Sequence, residues 1–350
     1  MSDLPTLRWG IVATGMISSW FVEDLVLEWD GKRVHHIIQA IGSSSVQKGH
    51  DFAKKYCPGH SPTVYGSYRE LYRDTDVDVV YIGTPHGYHY RDCLDAIRAG
   101  KNVLCEKSFT INAKQAREIF DAARENDVYV AEAMWLRHRP LYLELNRLLH
   151  EERAIGDVFR VFSDFASGVD IASLPASSRY RDLSLGAGSL LDVGVYSLTW
   201  MRVALGYQKD LPQIVAKQTH EQGVEITTSA ILQYSSGRQG ICTSTTKALG
   251  APGEVFAVVH GTNGYIEIEG RTPSAPESFT VWKKLAGNPD RAYFRGSHVG
   301  RGFVWEADNT ALDVLDGRKE SRVMPWDETL YMMDIMDEIR LQGGSSYPGE

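Results

Sequence analysis

Over the first 130 residues, short apolar runs alternate with stretches that repeat apolar residues at helical spacing. Residues 7–13, LRWGIVA, form an apolar run that ends in a turn. Residues 16–29 follow as an amphipathic helix, with Ile17, Phe21, Val22 and Leu25 on one face. Further strands are predicted at 34–42, 63–67, 77–84, 102–108 and 129–135, and further helices at 46–56, 68–74, 89–100 and 113–128. The run VDVVYIGT (77–84) is rich in β-branched residues, as a strand buried on both faces is. Gly100 stands where a left-handed residue closes a helix. Strands separated by single helices imply an α/β domain with a parallel, doubly wound sheet.

The later pattern has a different period. Segments 156–166, 212–222, 225–237, 238–247, 254–270 and 278–284 are strand-like, and several alternate polar and apolar residues, as one-faced antiparallel sheets do. GTNGYIEI (261–268) reads as a turn between two strands, and 329–342 as a helix with an apolar face. This half is α+β with a large, mostly antiparallel open sheet. A boundary near residue 133 gives domains at 1–132 and 133–350.

A chain of 350 residues is long enough for two such cores. Apolar content of 43% and charged content of 23% are ordinary for a globular protein. A net charge of −8 with no basic stripe argues against nucleic acid and anionic membranes as partners. Cys57, Cys93, Cys105 and Cys242 are scattered without C-x-x-C spacing, which speaks against a disulfide framework or a zinc site and for a reducing cytoplasm. The N-terminus lacks the basic-then-apolar pattern of a secretory signal, and no run approaches the roughly 18 apolar residues of a membrane span. No repeat or low-complexity tract is present.

Four stretches carry candidate chemistry. WGIVATGMIS (9–18) resembles a dinucleotide-binding turn in which two of the three fingerprint glycines are replaced: the positions are Ala13, Gly15 and Ser18. Ala13 is small enough for the tight turn. Gly15 keeps the place where backbone must approach a phosphate, and a helix start offers unpaired N–H groups. A strand–helix turn without a ligand would leave the same pattern. YIGTPHGYH puts Thr84, Pro85, His86 and His89 past the carboxyl end of a strand, where ligands of open parallel sheets sit. The bland alternative is a helix begun by proline, and zinc ligation lacks a third donor. VLCEKSF puts Glu106 and Lys107 at the next strand end, either as a mutual ion pair or as a lysine beside a cofactor. GAGSLLDVGVYSLTW places Asp192 and Tyr196 four residues apart, on one helix face, after Gly186 and Gly188. A tyrosine is a poor base at neutral pH, and a nearby ammonium makes proton transfer feasible.

GIVATGMIS, YIGTPHGYH, VLCEKSF, EAMWLRHRP and GSLLDVGVY together resemble the glucose–fructose oxidoreductase (Gfo/Idh/MocA) family nearly end to end. Within it the chain is most similar to the branch of dimeric dihydrodiol dehydrogenases and fungal NADP-dependent D-xylose 1-dehydrogenases, with tyrosine where many relatives carry histidine. The resemblance implies a Rossmann domain and a second domain whose open sheet makes a homodimer. It implies hydride transfer between NADP and a carbinol carbon; the residues themselves offer no metal site. It makes Lys107 and Tyr196 the proton-transfer pair, with Asp192 orienting the substrate hydroxyl and Arg179 lining the sugar pocket. Ala13, Thr14, Gly15, Met16, Ile17, Thr84, Pro85, His86, His89, Glu106, Trp135 and Arg137 then lie along the cofactor. Ser108 stands where the family usually has proline after the lysine, often in a cis bond.

The cofactor choice follows from the second strand end, QAIGSSSVQKGH. An NAD site usually has an Asp or Glu about 20 residues past the fingerprint. Here Ser43, Ser44 and Ser45 stand there, with Lys48 just beyond, a set that donates to a 2′-phosphate. The expected activity is oxidation of the anomeric hydroxyl of an aldopyranose, D-xylose first, to the lactone. The alternatives are a trans-dihydrodiol dehydrogenase, a 1,5-anhydro-ketose reductase, or a cofactor-binding regulator without catalysis.

Overall fold

The structure, a computed structural model, describes residues 4–207, 210–250, 253–283 and 290–350. It divides into two compact units. The first runs through His138 and takes up His298–Leu330, and the second comprises Arg139–Ser297 and Tyr331–Glu350. A single cut near residue 133 does not anticipate the chain's return to the first unit.

The first unit opens with β1 (Thr6–Val12), α1 (Met16–Leu25), β2 (His35–Gly42), α2 (Val46–Tyr56), β3 (Thr63–Tyr65) and α3 (Tyr68–Tyr72). It continues with β4 (Val79–Ile82), α4 (His86–Arg98), β5 (Asn102–Glu106), α5 (Ala113–Glu125) and β6 (Val130–Ala133). All six strands pair in parallel in the order β3-β2-β1-β4-β5-β6. The order reverses between β1 and β4, so this is a Rossmann-type sheet with its ligand crevice at their carboxyl ends. Two helices differ from expectation. α1 stops at Leu25 rather than 29, where the Leu27 N–H turns back three residues to the Asp24 carbonyl and tightens the last turn. α4 starts at His86 rather than 89, because Pro85, extended at φ −62°, ψ 152°, serves as its N-cap. In the core, Phe21 stacks on Tyr81 at 3.9 Å and meets Trp9 edge-on at 5.3 Å.

The second unit begins with α6 (Pro140–His150) and β7 (Val158–Ala166), followed by α7 (Val195–Leu205). The chain then forms β8 (Gln213–Glu221), β9 (Val224–Gln233), β10 (Gln239–Thr245), β11 (Val255–Gly261), β12 (Gly264–Thr272), β13 (Ala275–Lys283) and β14 (Asp290–Arg295). The eight strands lie in the order β14-β13-β12-β11-β7-β10-β9-β8, and only β7 and β10 pair in parallel. The expected turn is Thr262–Asn263, closing a hairpin between Gly261 and Gly264. Lys284, at the end of the strand expected over 278–284, lies outside the described residues. α7 packs on the inner face, where Val161, Phe165, Leu232, Val259 and Ile268 are buried. On the outer face, register aligns Val215, Ile231, Ile241, Phe162 and Val258 in one row across five strands. Val215 is 66% and Phe162 37% exposed, so the row is an apolar stripe with no cover from its own unit.

Residues 298–330 carry α8 (Val304–Leu315) and the start of α9 (Trp326–Gly343). Asp24 binds this return segment to α1: its carboxylate accepts the N–H groups of Arg301, Gly302 and Phe303, each at 2.8 Å. Asp308 of α8 meets His36 at 3.0 Å, and the Trp326 indole donates to the Val130 carbonyl at 2.7 Å.

Candidate active site

The turn after β1 keeps its shape without its first glycine. Ala13 takes a left-handed φ of 75° and donates its N–H to the Gly42 carbonyl at 3.0 Å. That conformation costs an L-residue about 1 kcal/mol, and the turn carries the cost. Ser18, at the third position, is fully buried, and its packing is made possible from the other side. A Cβ built on Gly83, at the end of β4, would stand 2.3 Å from the Ser18 Oγ. Gly15 is the informative one. Its φ of −80° is ordinary, and a Cβ added there would meet nothing within 4 Å. Nothing in the protein itself requires glycine at 15, whereas a ligand lying on the backbone would. Gly15 is also the N-cap of α1, it offers no side-chain cap, and the first turn has no acidic residue. The orphan N–H groups therefore face an open, anion-compatible space. Thr14 and Ile17 are half-buried and Met16 is exposed at this turn.

A cavity of about 530 Å³ continues from this turn along α2, lined by Thr14, Gly15, Ser44, Lys48, Lys55 and Tyr68 among others. The three serines divide their work. Ser43 is buried and paired with the Thr14 hydroxyl at 3.3 Å. Ser45 caps α2 by accepting the Lys48 N–H at 3.3 Å. Ser44 and Lys48 are exposed, with Nζ 3.5 Å from Oγ. Lys55 was not anticipated, although it stands seven residues after Lys48 on the same helix, a spacing that returns to one face. Asp51 also lines the cavity, with its carboxylate held by the Gln47 amide at 2.9 Å.

At the ends of β4 and β5 the side chains are tightly tied. Thr84 and His86 are buried and Pro85 is half-buried. His86 and His89 meet edge to face at 5.6 Å. The His89 ring is fully buried, with Nε2 2.7 Å from the Thr84 carbonyl and Nδ1 3.0 and 3.2 Å from the carbonyls of Ser108 and Phe109. Glu106 is buried: the Tyr81 hydroxyl donates to Oε1 at 2.7 Å, and the Lys107 N–H to Oε2 at 3.2 Å. Lys107 itself is half-buried, and its bond to Ser108 is cis although no proline follows. No group of three or more His, Cys, Asp or Glu positioned to hold a metal occurs among the described residues.

Behind this end lies a cluster of carboxyls that sequence reading missed. Glu132, on β6, accepts the Phe109 N–H at 3.2 Å, and burial pushes its pKa up to about 7 against the pull of Arg137 and Lys107. Glu306, in the first turn of α8, is fully buried and neither oxygen has a hydrogen-bond partner among the described residues. Burial, with Glu106 and Glu132 nearby, drives it well above the usual carboxylate range, so it is held as a neutral acid. Arg137, expected near the cofactor, pairs with the buried Glu328 at 2.9 Å. Trp135 stacks on Phe303 at 4.5 Å.

In the second unit, Asp192 and Tyr196 do share one helical segment, but it begins with a π-turn, Leu190–Gly194, before α7. Such turns recur at functional sites. Glu225, fully inside the unit, anchors its start by accepting from the Ser189 hydroxyl at 2.6 Å and the Leu190 N–H at 2.9 Å. Arg179 reaches Asp192 at 3.2 Å and donates to the Tyr180 hydroxyl at 2.9 Å. Asp192 is half-buried, and the Tyr196 ring is buried against Phe165 at 5.8 Å. A carboxylate only 14% exposed, with a guanidinium across it and one turn before a tyrosine, is suited to gripping a vicinal polyol.

Residues 7–134 match the family described as oxidoreductase, NAD-binding Rossmann fold (GFO_IDH_MocA), and residues 142–267 match its C-terminal domain. The chain is 34% identical to D-xylose 1-dehydrogenase (NADP(+)) of Hypocrea jecorina, covering 98% of this chain and 93% of that protein. It is 35% identical to trans-1,2-dihydrobenzene-1,2-diol dehydrogenase of Xenopus tropicalis, covering 97% and 99%. Among solved structures, a 3-ketoreductase from Actinomadura kijaniata in complex with NADP and TDP-benzene shares the fold, with a TM-score of 0.81 at 23% identity over 97% of this chain and 98% of that one.

Proposed function

The chain belongs to the GFO/IDH/MocA oxidoreductase family, and on that premise we propose that it is an NADP-dependent dehydrogenase that oxidises the anomeric hydroxyl of an aldopyranose, D-xylose first, to the lactone. The observation that carries the reading is the turn at Gly15. It is open to a phosphate for no reason internal to the protein, and it leads to an exposed Ser44–Lys48 corner with no carboxylate at the end of β2. NADP⁺ bound there would supply the hydride acceptor. Ser44 and Lys48 donate to its 2′-phosphate, with Lys55 adding a second positive charge along the same helix face. Thr84, Pro85, His86 and Glu106 shape the wall at the strand ends, and Trp135 and Arg137 border it.

The chain's own part is proton handling and orientation. Tyr196 takes the proton of the sugar hydroxyl, and Lys107 supports the phenolate. Asp192 accepts from a neighbouring hydroxyl, and Arg179 holds both the carboxylate and the sugar. The xylose reading rests on the fungal relative, and the diol reading on the vertebrate ones, at nearly equal identity. A spectrophotometric screen of NADP reduction across aldoses and trans-dihydrodiols decides between them. Turnover of D-xylose well above all diols is the expected result, and absence of turnover with any of them would leave a cofactor-binding regulator.

We take the working form to be a homodimer joined through the outer face of the antiparallel sheet. The support is the row from Val215 to Val258, which is apolar over five strands and uncovered within its unit. Its compartment is the cytoplasm on this reading, supported by four buried free cysteines. No helix among the described residues is long and apolar enough to cross a membrane.

A further inference from the structure

We propose that Tyr347, in the segment after α9, is a substrate-binding residue whose hydroxyl donates to a ring hydroxyl of the sugar at the Asp192–Arg179 site. The segment is folded back onto its own unit. Gly344 takes a left-handed φ of 82°, and the N–H groups of Gly344 and Ser345 donate to the Arg340 carbonyl at 2.8 and 3.0 Å. The Ser345 hydroxyl donates to the Gln218 side chain on β8 at 2.5 Å. The Glu350 carboxylate accepts from the Arg340 guanidinium at 2.7 Å and from the Tyr347 N–H at 2.9 Å. Arg340 in turn lies over the Tyr347 ring, 5.0 Å from its centre. These contacts fix the residue from its backbone side and turn the ring inward, where it is 7% exposed.

The ring delivers its hydroxyl to the start of the segment that carries Asp192. A Cβ built on Gly188 would stand 3.1 Å from that hydroxyl and 3.2 Å from Glu225 Oε2. Gly188, at a φ of 148°, leaves the space open, and its carbonyl accepts the Asp192 N–H at 3.3 Å. Its neighbour Ala187 sits in an apolar cluster against which Tyr180 packs, and the Tyr180 hydroxyl accepts from Arg179. Tail, π-turn and guanidinium therefore converge on residues 187–192. The Tyr347 hydroxyl itself has no hydrogen-bond partner among the described residues. Glu225 is near, but its oxygens already accept from Ser189, Thr228 and Leu190. A buried hydroxyl without a partner costs stability, and a polyol held by Asp192 supplies the missing partner. Burial, with Glu225, Glu350 and Asp192, pushes the Tyr347 phenol up against the pull of Arg340, so it stays protonated. It is a donor where Asp192 is an acceptor, and a sugar hydroxyl can meet both. Tyr196 keeps the proton transfer, and Tyr347 serves recognition.

The inference rests on the reading of the chain as a sugar dehydrogenase. Tyr347→Phe keeps the ring and removes the hydroxyl. With D-xylose and NADP⁺, the sugar KM should rise about tenfold while kcat changes much less. NADPH affinity, followed by fluorescence, and the melting temperature should stay at wild-type values. Wild type and variant are then compared on 2-deoxy-, 3-deoxy- and 4-deoxy-D-xylose. The penalty should vanish for the one analogue that lacks the hydroxyl met by Tyr347 and persist for the other two. A wild-type KM in the variant overturns the inference. So does an equal penalty on D-xylose and all three analogues, or a loss of melting temperature and NADPH affinity together, since a hydroxyl that only holds the fold gives those results. Wild-type enzyme that turns over no aldose overturns the sugar reading first, before any variant is made, and the inference with it.

Discussion

In the parallel sheet, every residue of β4 is buried, whereas β9 of the antiparallel sheet alternates buried and exposed residues from Thr228 to Gln233. The first sheet is covered by helices on both faces, so its side chains cannot reach a ligand except at the strand ends. The candidate residues for chemistry accordingly gather at 13–18, 43–48, 84–89 and 106–107. The second sheet is covered on one face only, and its candidate chemistry lies on the segment packed against the inner face, at Asp192 and Tyr196. Its other face carries the exposed apolar row. A buried glutamate in each unit is also treated differently. In the second, Glu225 is satisfied by Ser189, Leu190 and Thr228. In the first, Glu306 is left to hold a proton.

The largest test of this comparison is to disable each unit's share of the chemistry. Lys107→Ala in the first unit and Tyr196→Phe in the second should each lower kcat by about two orders of magnitude or more, with melting temperatures close to wild type. Loss of activity in only one of them would place the whole chemistry in a single unit. Next, the outer face is loaded with charge. Phe162→Asp together with Ile231→Asp should weaken self-association about a hundredfold by sedimentation velocity, because a two-fold contact sets each new carboxylate against an apolar row and its own copy. The parallel unit should remain folded. A dimer unaffected by both charges would mean that this face is not the interface.

The contrast in buried polar groups yields a pH effect. The folded-state pKa of Glu306 is raised, so its neutral form favours folding fully below the unfolded carboxylate range, near 4.3. That contribution is lost as pH rises, at up to about 1.4 kcal/mol per pH unit for one proton. Glu132 adds to the same fall until pH passes its own value of about 7. Urea titrations between pH 5 and pH 8 should show wild-type stability falling and Glu306→Gln falling less steeply. Equal slopes would mean that Glu306 is ionised in the folded protein. The smallest expected effect is on cofactor choice. Ser44→Asp sets a carboxylate against a 2′-phosphate at an exposed site, and should reduce the NADP-to-NAD ratio of kcat/KM by about tenfold or invert it. An NAD advantage in the wild type would remove the Ser44–Lys48 corner from the argument.

Much of this was legible because parallel sheets have local rules. A buried run followed by a small-residue turn and a helix start is written in adjacent residues, so Ala13, Gly15, Thr84, Glu106 and Lys107 stand out as candidates from order alone. The hairpin at Thr262–Asn263 is equally local. α8 was missed because its helical period is disguised: Glu306, Asp308 and Asp313 lie on its buried side. Asp308 and Asp313 are there to meet His36, Arg33, Arg322 and Arg318, partners that no window around α8 reveals for the first two. α6 had a readable apolar stripe, Leu141, Tyr142, Leu145, Leu148 and Leu149, that the strand-like pattern after it overshadowed.

By itself, then, the order of residues determined the two kinds of sheet, the strand ends at which a cofactor turn and a lysine stand, and the common helical segment of Asp192 and Tyr196. These follow from periodicity and turn chemistry over a few residues. Only the tertiary structure decided that 298–330 returns to the first unit, that Arg179 lies across Asp192, and that Val215, Ile231, Ile241, Phe162 and Val258 align. It also decided that three carbonyls converge on His89 and that Glu306 is stranded beside Glu106 and Glu132. Each of these depends on register or on contacts between distant segments, where the free energy comes from burying groups together and no local pattern records which groups those are.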